Sequence, residues 1–141
     1  RNTHGVVNDF VQKLRRNPGE LEVLGNGTQT KSYLFINDCI RAIETGLKRA
    51  KSRVEIFNIG SDDQIDVKSL ANIVIGEMGL KNVKVTFTGG VNGGRGWPGD
   101  VKNMLLETSK LKLEGWRPRY NSEESVRLAV KDILSKNREP C

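Results

Sequence analysis

Val7, Phe10, Val11 and Leu14 recur at three- and four-residue steps, which predicts an amphipathic helix over residues 4–16, stopped by Asn17-Pro18-Gly19. A short run from Leu21 to Leu24 then enters a glycine turn at Gly25-Asn26-Gly27. The alternation Tyr33-Leu34-Phe35-Ile36 predicts a strand that Asn37-Asp38 ends, with that pair capping a helix over 38–50 striped by Ile40, Ile43 and Leu47. Val54 to Ile59 predicts a further strand, stopped at Gly60-Ser61. Asp66 is placed to cap a third helix carrying Val67, Leu70, Ala71, Val74 and Met78 on one face, with Gly79 at its end. Val83, Val85 and Phe87 alternate with Lys84 and Thr86, the pattern of a half-buried strand.

Met104, Leu105 and Leu106 are expected to resume the core, and Thr108 or Ser109 to cap a short helix ending at Gly115-Trp116. Pro118 forbids its continuation. Val126, Ala129, Val130, Ile133 and Leu134 share one face of a last helix, opened either by an Asn121/Glu124 capping box or by Ser122. Strands and helices in this alternation predict an α/β fold: one small lobe with a few short strands and about five helices.

A chain of 141 residues suits a single domain with a real core, needing neither disulfide nor metal. No apolar run approaches the ~18 residues of a membrane span, and no signal-peptide pattern opens the chain, so a cytoplasmic protein without a membrane partner is expected. Cys39 and Cys141 have no metal or redox spacing and read as free thiols. His4 reads as a cap or surface residue, because no second histidine or nearby cysteine accompanies it. The net charge of +6 permits an acidic partner, but the basic residues are scattered and aromatics make up only 6%, so nucleic acid is the minority reading.

Two stretches carry candidate chemistry. The Gly25–Gly27 turn frees backbone amides beside Gln29 and Lys31, an arrangement suited to an anionic, hydroxyl-rich ligand or equally to a plain solvated turn. Gly89 to Gly99 is a pliable, glycine-rich loop bearing Arg95 and a buried-type Trp97, with Asp100 at its exit; it reads either as a flap over a ligand or as a linker.

Four segments in register resemble the C-terminal half of the extended short-chain dehydrogenase/reductase family, and within it the NDP-sugar epimerases and dehydratases of the UDP-glucose 4-epimerase kind. They are Val23 to Lys31, Tyr33 to Ala42, Phe57 to Ala71, and Gly99 to Pro118 with its Ser109-Lys110 and Gly115-Trp116. The likeness spans nearly all of residues 4–136. It implies that residues 1–141 are the NDP-sugar-binding domain of an NAD-dependent epimerase, a fragment lacking the Rossmann domain. Dehydratase or decarboxylase relatives, and a stand-alone anion- or nucleic-acid-binding module, are the alternatives.

By position, the resemblance implies that Glu22, Val23 and Leu24 meet the base, mainly through backbone groups, with Leu24 on its face. Lys31, where most members carry arginine, would neutralise the diphosphate, and Arg95 would be the second cation. Asp100 would accept from ribose hydroxyls, and Gly5 and Val6 would offer helix amides to the sugar or diphosphate. Arg95 precedes Asp100 by five residues where the family's commoner spacing is three, and that place holds Trp97. The implied partners are a UDP-sugar, the missing N-terminal Rossmann domain and, for the parent enzyme, a second subunit. NAD is the parent's cofactor and is not expected on this fragment, which carries no catalytic pair: Tyr33 is followed four residues on by Asn37, and Tyr120 by Glu124, not by lysine. The chain opens at Arg1 without a methionine, and a piece of a longer or processed protein is expected.

Overall fold

The computed structural model describes residues 5–136, so the expectations for His4 and Cys141 lie outside the described residues. In chain order the elements are α1 (Val6–Arg16), β1 (Glu20–Val23), β2 (Thr30–Lys31), α2 (Ile36–Arg49), β3 (Ile65–Asp66), α3 (Val67–Glu77), β4 (Lys84–Phe87), β5 (Asn103–Met104), α4 (Ser109–Leu113) and α5 (Ser122–Lys136). Among the described residues five helices and five short strands give the α/β lobe that the periodicities imply.

The helical stripes build the main core. Phe10, Val11 and Leu14 of α1 meet Leu70, Ala71 and Val74 of α3 and Val126 and Val130 of α5. Leu21 and Val23 of β1 complete that core, paired in parallel to Val85 and Phe87 of β4. Local chemistry fixes the helix ends. Asp66 accepts from the Ser69 N–H at 2.6 Å at the start of α3. At its other end Gly79 takes φ +68°, and the Leu80 and Gly79 N–H groups return to the Ile75 and Gly76 carbonyls, closing a Schellman motif. At the start of α5 Asn121 and Glu124 form the reciprocal box, at 2.9 and 2.8 Å. Ser122 is spent elsewhere, bonding Asp63 and the Tyr33 N–H.

A second, smaller cluster lies under α2 and α4: Ala42, Leu111 and Trp116, with Leu34, Phe57 and Ile59 against them. Between the clusters runs a three-stranded ribbon of two-residue strands, β3 antiparallel to β2 and β2 parallel to β5.

Several expectations are corrected. Tyr33–Ile36 is not a strand. Its alternation is real, but Tyr33 packs on the main core and Leu34 on the smaller one, and the Tyr33 N–H goes to Ser122 Oγ at 3.0 Å instead of to a ladder. Asp38 does not cap α2. Phe35 holds the N-cap position, while the Asp38 carboxylate is buried and accepts from Arg41 and from the backbone of Arg119 and Tyr120. Val54–Ile59 finds no ladder partner among the described residues: Phe57 and Ile59 turn inward, whereas Val54 and Ile56 are 79% and 77% exposed. The α2 stripe of Ile40, Ile43 and Leu47 faces outward, and Met104, Leu105 and Leu106 do not rejoin the core. At α4 Thr108 does hold the N-cap position, but its side chain makes no capping bond and its hydroxyl donates to Asp62 at 3.2 Å. Among the described residues no helix is long and apolar enough to cross a membrane.

Candidate functional site

The Gly25–Gly27 turn and the Gly89–Gly99 loop are packed backbone to backbone. The Asn26 N–H donates to the Gly94 carbonyl at 3.0 Å, and the Gly89 N–H to the Gly25 carbonyl at 3.1 Å. Glycine is required at this approach: Gly25 has φ +90°, and a Cβ there would collide with the Gln29 amide and lie 2.7 Å from the Gly94 oxygen. Gly90 has φ +72°, and its Cβ would lie 2.8 Å from Gly25 Cα. The loop is thereby pinned to the turn and delivers Gly96, Trp97 and Asp100 to the side of Lys31 on β2.

What results is a cavity of about 510 Å³ at the junction of the α1 N-terminus, the end of β1, β2 and the loop. Val6, Phe10, Val23, Leu24 and Val67 give it apolar walls. Its polar rim is Asp9, Gln29, Lys31, Tyr33 and Asp100, and Trp97 stands on the loop side.

Asp100, 6% exposed, is the centre of the rim. It accepts from Lys31 Nζ at 2.6 Å, the Gly96 N–H at 3.0 Å and Gln29 Nε2 at 3.3 Å. Burial alone would push its carboxyl up, but the bonds from Lys31, Gly96 and Gln29 together outweigh it and hold the group below the ordinary carboxylate range. Lys31 Nζ also stands 5.5 Å from the Trp97 ring centroid, within cation–π reach. The Tyr33 phenol is pushed up to about 12 by burial, with the Asp100 charge acting in the same direction, so it is a neutral donor at ordinary pH. Gln29 Oε1 is buried with no hydrogen-bond partner among the described residues.

Of the residues singled out from sequence, Gly5, Val6, Val23, Leu24, Lys31 and Asp100 meet in this cavity. Glu22 does not: strand alternation turns its side chain to the opposite groove beside Lys13 and Arg16, and its carbonyl accepts from Lys13 Nζ at 3.1 Å. Arg95 does not line it either. It closes a small bridge with Val91, and its guanidinium donates to the Asn92 carbonyl at 3.0 Å. Trp97 is corrected from buried to 55% exposed; the interior tryptophan is Trp116, at 1%. Sequence reasoning missed Asp9, Phe10, Tyr33 and Gly96 as lining residues. Tyr33 carried a signal, since its hydroxyl sits two residues past Lys31, and Asp9 carried the acidic first turn of α1.

Much of the basic surface is paired, as in Lys51–Glu114 at 2.8 Å, Lys110–Glu55 at 3.3 Å and Arg127–Glu77 at 2.9 Å. Among the described residues no cluster of three or more His, Cys, Asp or Glu side chains could hold a metal.

Residues 1–60 match the sequence pattern of the NAD dependent epimerase/dehydratase family. The GDP-L-fucose synthase of Sinorhizobium fredii is 30% identical over 138 residues, covering 95% of this chain and 41% of that protein. A crystal structure of a UDP-galactose 4-epimerase superposes with a TM-score of 0.79 at 35% identity, over 96% of this chain and 42% of its own. The UDP-glucose 4-epimerase of Thermotoga maritima, solved with UDP-glucose, gives 0.77 at 25% identity, over 97% of this chain and 41% of its own. The chain thus spans about two-fifths of the length of the proteins it matches.

Proposed function

We propose that this chain, whose residues 1–60 match the sequence pattern of the NAD dependent epimerase/dehydratase family and whose fold superposes on a UDP-galactose 4-epimerase, is the lobe that holds the nucleotide-sugar in an NDP-sugar epimerase of the UDP-glucose 4-epimerase kind. The supporting observation is the convergence of Gly5, Val6, Leu24, Lys31 and Asp100, from four separate segments, on one cavity. In this reading Leu24 and the end of β1 take the base, the opening turn of α1 offers its amides to phosphate, and Lys31 is the cation for the diphosphate. Lys31 is a point charge and lacks the bidentate fork of arginine, so it compensates charge more than it fixes orientation. Tyr33 adds a neutral hydroxyl donor beside it.

The reaction assigned to the whole enzyme is inversion of a sugar ring carbon through a keto-sugar, with NAD supplying the redox chemistry. This chain's part is binding and orientation. The dinucleotide turn of a Rossmann domain is a glycine loop that opens a helix. The glycine loop that leaves β4 folds back through the Val91–Arg95 bridge and runs on to β5, so no helix N-terminus stands behind it to face a pyrophosphate. In this reading the cofactor and the catalytic acid/base belong to an N-terminal Rossmann portion, and the compartment is the cytoplasm. Calorimetric titration with UDP should give saturable binding with Kd in the micromolar to millimolar range; no heat and no chemical-shift response at millimolar UDP overturns the reading.

The same reading accounts for the uncovered apolar face. Ile36, Ile40, Ile43 and Leu47 line the outer side of α2, and Val54 and Ile56 are exposed on a segment that no described strand pairs. This is the surface assigned to the Rossmann portion. Leu47→Asn is accordingly expected to change the stability of the isolated chain by no more than about 0.5 kcal/mol while reducing its self-association, read by sedimentation. A large stability loss with unchanged association would remove this face from the docking surface.

A further inference from the structure

Resting on the reading of this cavity as a nucleotide-sugar site, we propose that Trp97 is a specificity-determining residue there, and that the site selects its ligand by a flat ring packed on that indole rather than by phosphate charge. A diphosphate clamp needs uncompensated cations. Among the described lining residues Lys31 is the one cation, and Asp100 already holds it at 2.6 Å. Asp9, on the opposite wall, brings a second carboxylate, which Lys13 compensates at 3.1 Å. Among the described lining residues carboxylates therefore outnumber cations, so the positive field open to a polyanion is confined to the amides that open α1 and to a Lys31 shared with Asp100.

The loop supplies no second cation either, because Arg95 is turned away onto the Asn92 carbonyl. What the loop does supply is Trp97, more than half exposed in a lobe whose other tryptophan is fully interior. An indole left in water beside Leu24, on a backbone pinned through the Gly25, Gly90 and Gly94 contacts, is a preorganised apolar platform. Lys31 within cation–π distance of the ring steadies it. Base–aromatic stacking of this kind is sequence-tolerant, since every base has a π-face, and truncation of such a platform costs about ten- to a hundredfold in affinity.

The test is calorimetric titration of the intact protein and its variants with UDP, UMP and inorganic pyrophosphate at two salt concentrations. The expected result has UMP within about tenfold of UDP, pyrophosphate far weaker than either, and a shallow dependence on salt. Trp97→Ala should lower the affinity for UMP and UDP alike by at least tenfold, Trp97→Phe should retain most of it, and Arg95→Ala should leave it unchanged. Binding of UDP that Trp97→Ala leaves intact, or pyrophosphate binding that rivals UDP and falls on Arg95→Ala, overturns this inference and leaves the nucleotide-sugar reading standing. Failure of every probe to bind overturns both.

Discussion

Asp100→Ala is expected to abolish nucleotide binding and to destabilise the chain by about 3–5 kcal/mol, the largest effect of any substitution in the cavity. One buried carboxylate satisfies Lys31 Nζ, the Gly96 N–H and the Gln29 amide. Gln29 is itself 2% exposed and has one amide atom already without a partner, so losing Asp100 leaves its side chain only the bond from Nε2 to the Leu24 carbonyl at 3.3 Å. The Lys31 side chain is 24% exposed and recovers some hydration, which keeps the penalty from running higher. Asp100→Asn should be milder: with its oxygen in the Oδ2 place it still accepts from Gly96 and Gln29, and its NH2 group faces Lys31 alone. Chemical denaturation of the three proteins at one pH gives the order wild type, Asn, Ala; equal stability of Ala and wild type would strip Asp100 of its bracing role.

The same carboxylate makes a definite contribution to acid stability. Its folded pKa lies below the ordinary value of 3.8. The stability it adds is therefore complete above about pH 4 and is lost as the pH falls through the lower folded value. Asp100→Asn, which cannot titrate, should flatten the acid limb of the stability curve below pH 4 and leave the slope between pH 5 and 8 untouched.

How much of this was legible in the sequence follows from which interactions are local. The stripes of α1, α3 and α5 bury where their 3.6-residue period says, and Asp66, Gly79 and the Asn121/Glu124 pair act on backbone groups within a few residues of themselves. The cavity was half legible. Lys31 on β2 could be named from the glycine turn beside it, whereas Val23 and Leu24 at the end of β1 followed only from the family resemblance. The misread segments share a different property. Tyr33–Ile36 and Val54–Ile59 have the alternation of strands, yet a strand exists only with a neighbour, and periodicity carries no information on whether one is present. Nor does a lone tryptophan announce its depth. Trp97 and Trp116 both follow a glycine closely, and only the tertiary arrangement puts one in solvent and the other in the interior.

Trp116→Ala should produce the second large effect, and a localised one. Trp116 is the bulkiest wholly interior side chain, and its Nε1–H donates to the Asp38 carbonyl at 3.2 Å. The helix it supports has little else to hold it: within α2 only Asp38 and Ala42 are buried, and its larger apolar residues face outward. Removing an aromatic of this size from an interior typically costs about 3–5 kcal/mol. The main core of α1, α3 and α5 shares no buried residue with the smaller cluster, so the loss should fall on α2 and α4 first. Native-state hydrogen exchange is expected to show amide protection in α2 reduced by about a hundredfold or more, with α3 and α5 changed far less. Trp116→Phe, which refills most of the volume but forfeits the bond to Asp38, should give an intermediate loss. Uniform loss of protection across all five helices would mean that the two clusters unfold as one unit. In that case α2 draws its stability from the whole lobe and presents its outer face as a rigid platform, not as an element that settles only when a partner surface covers it.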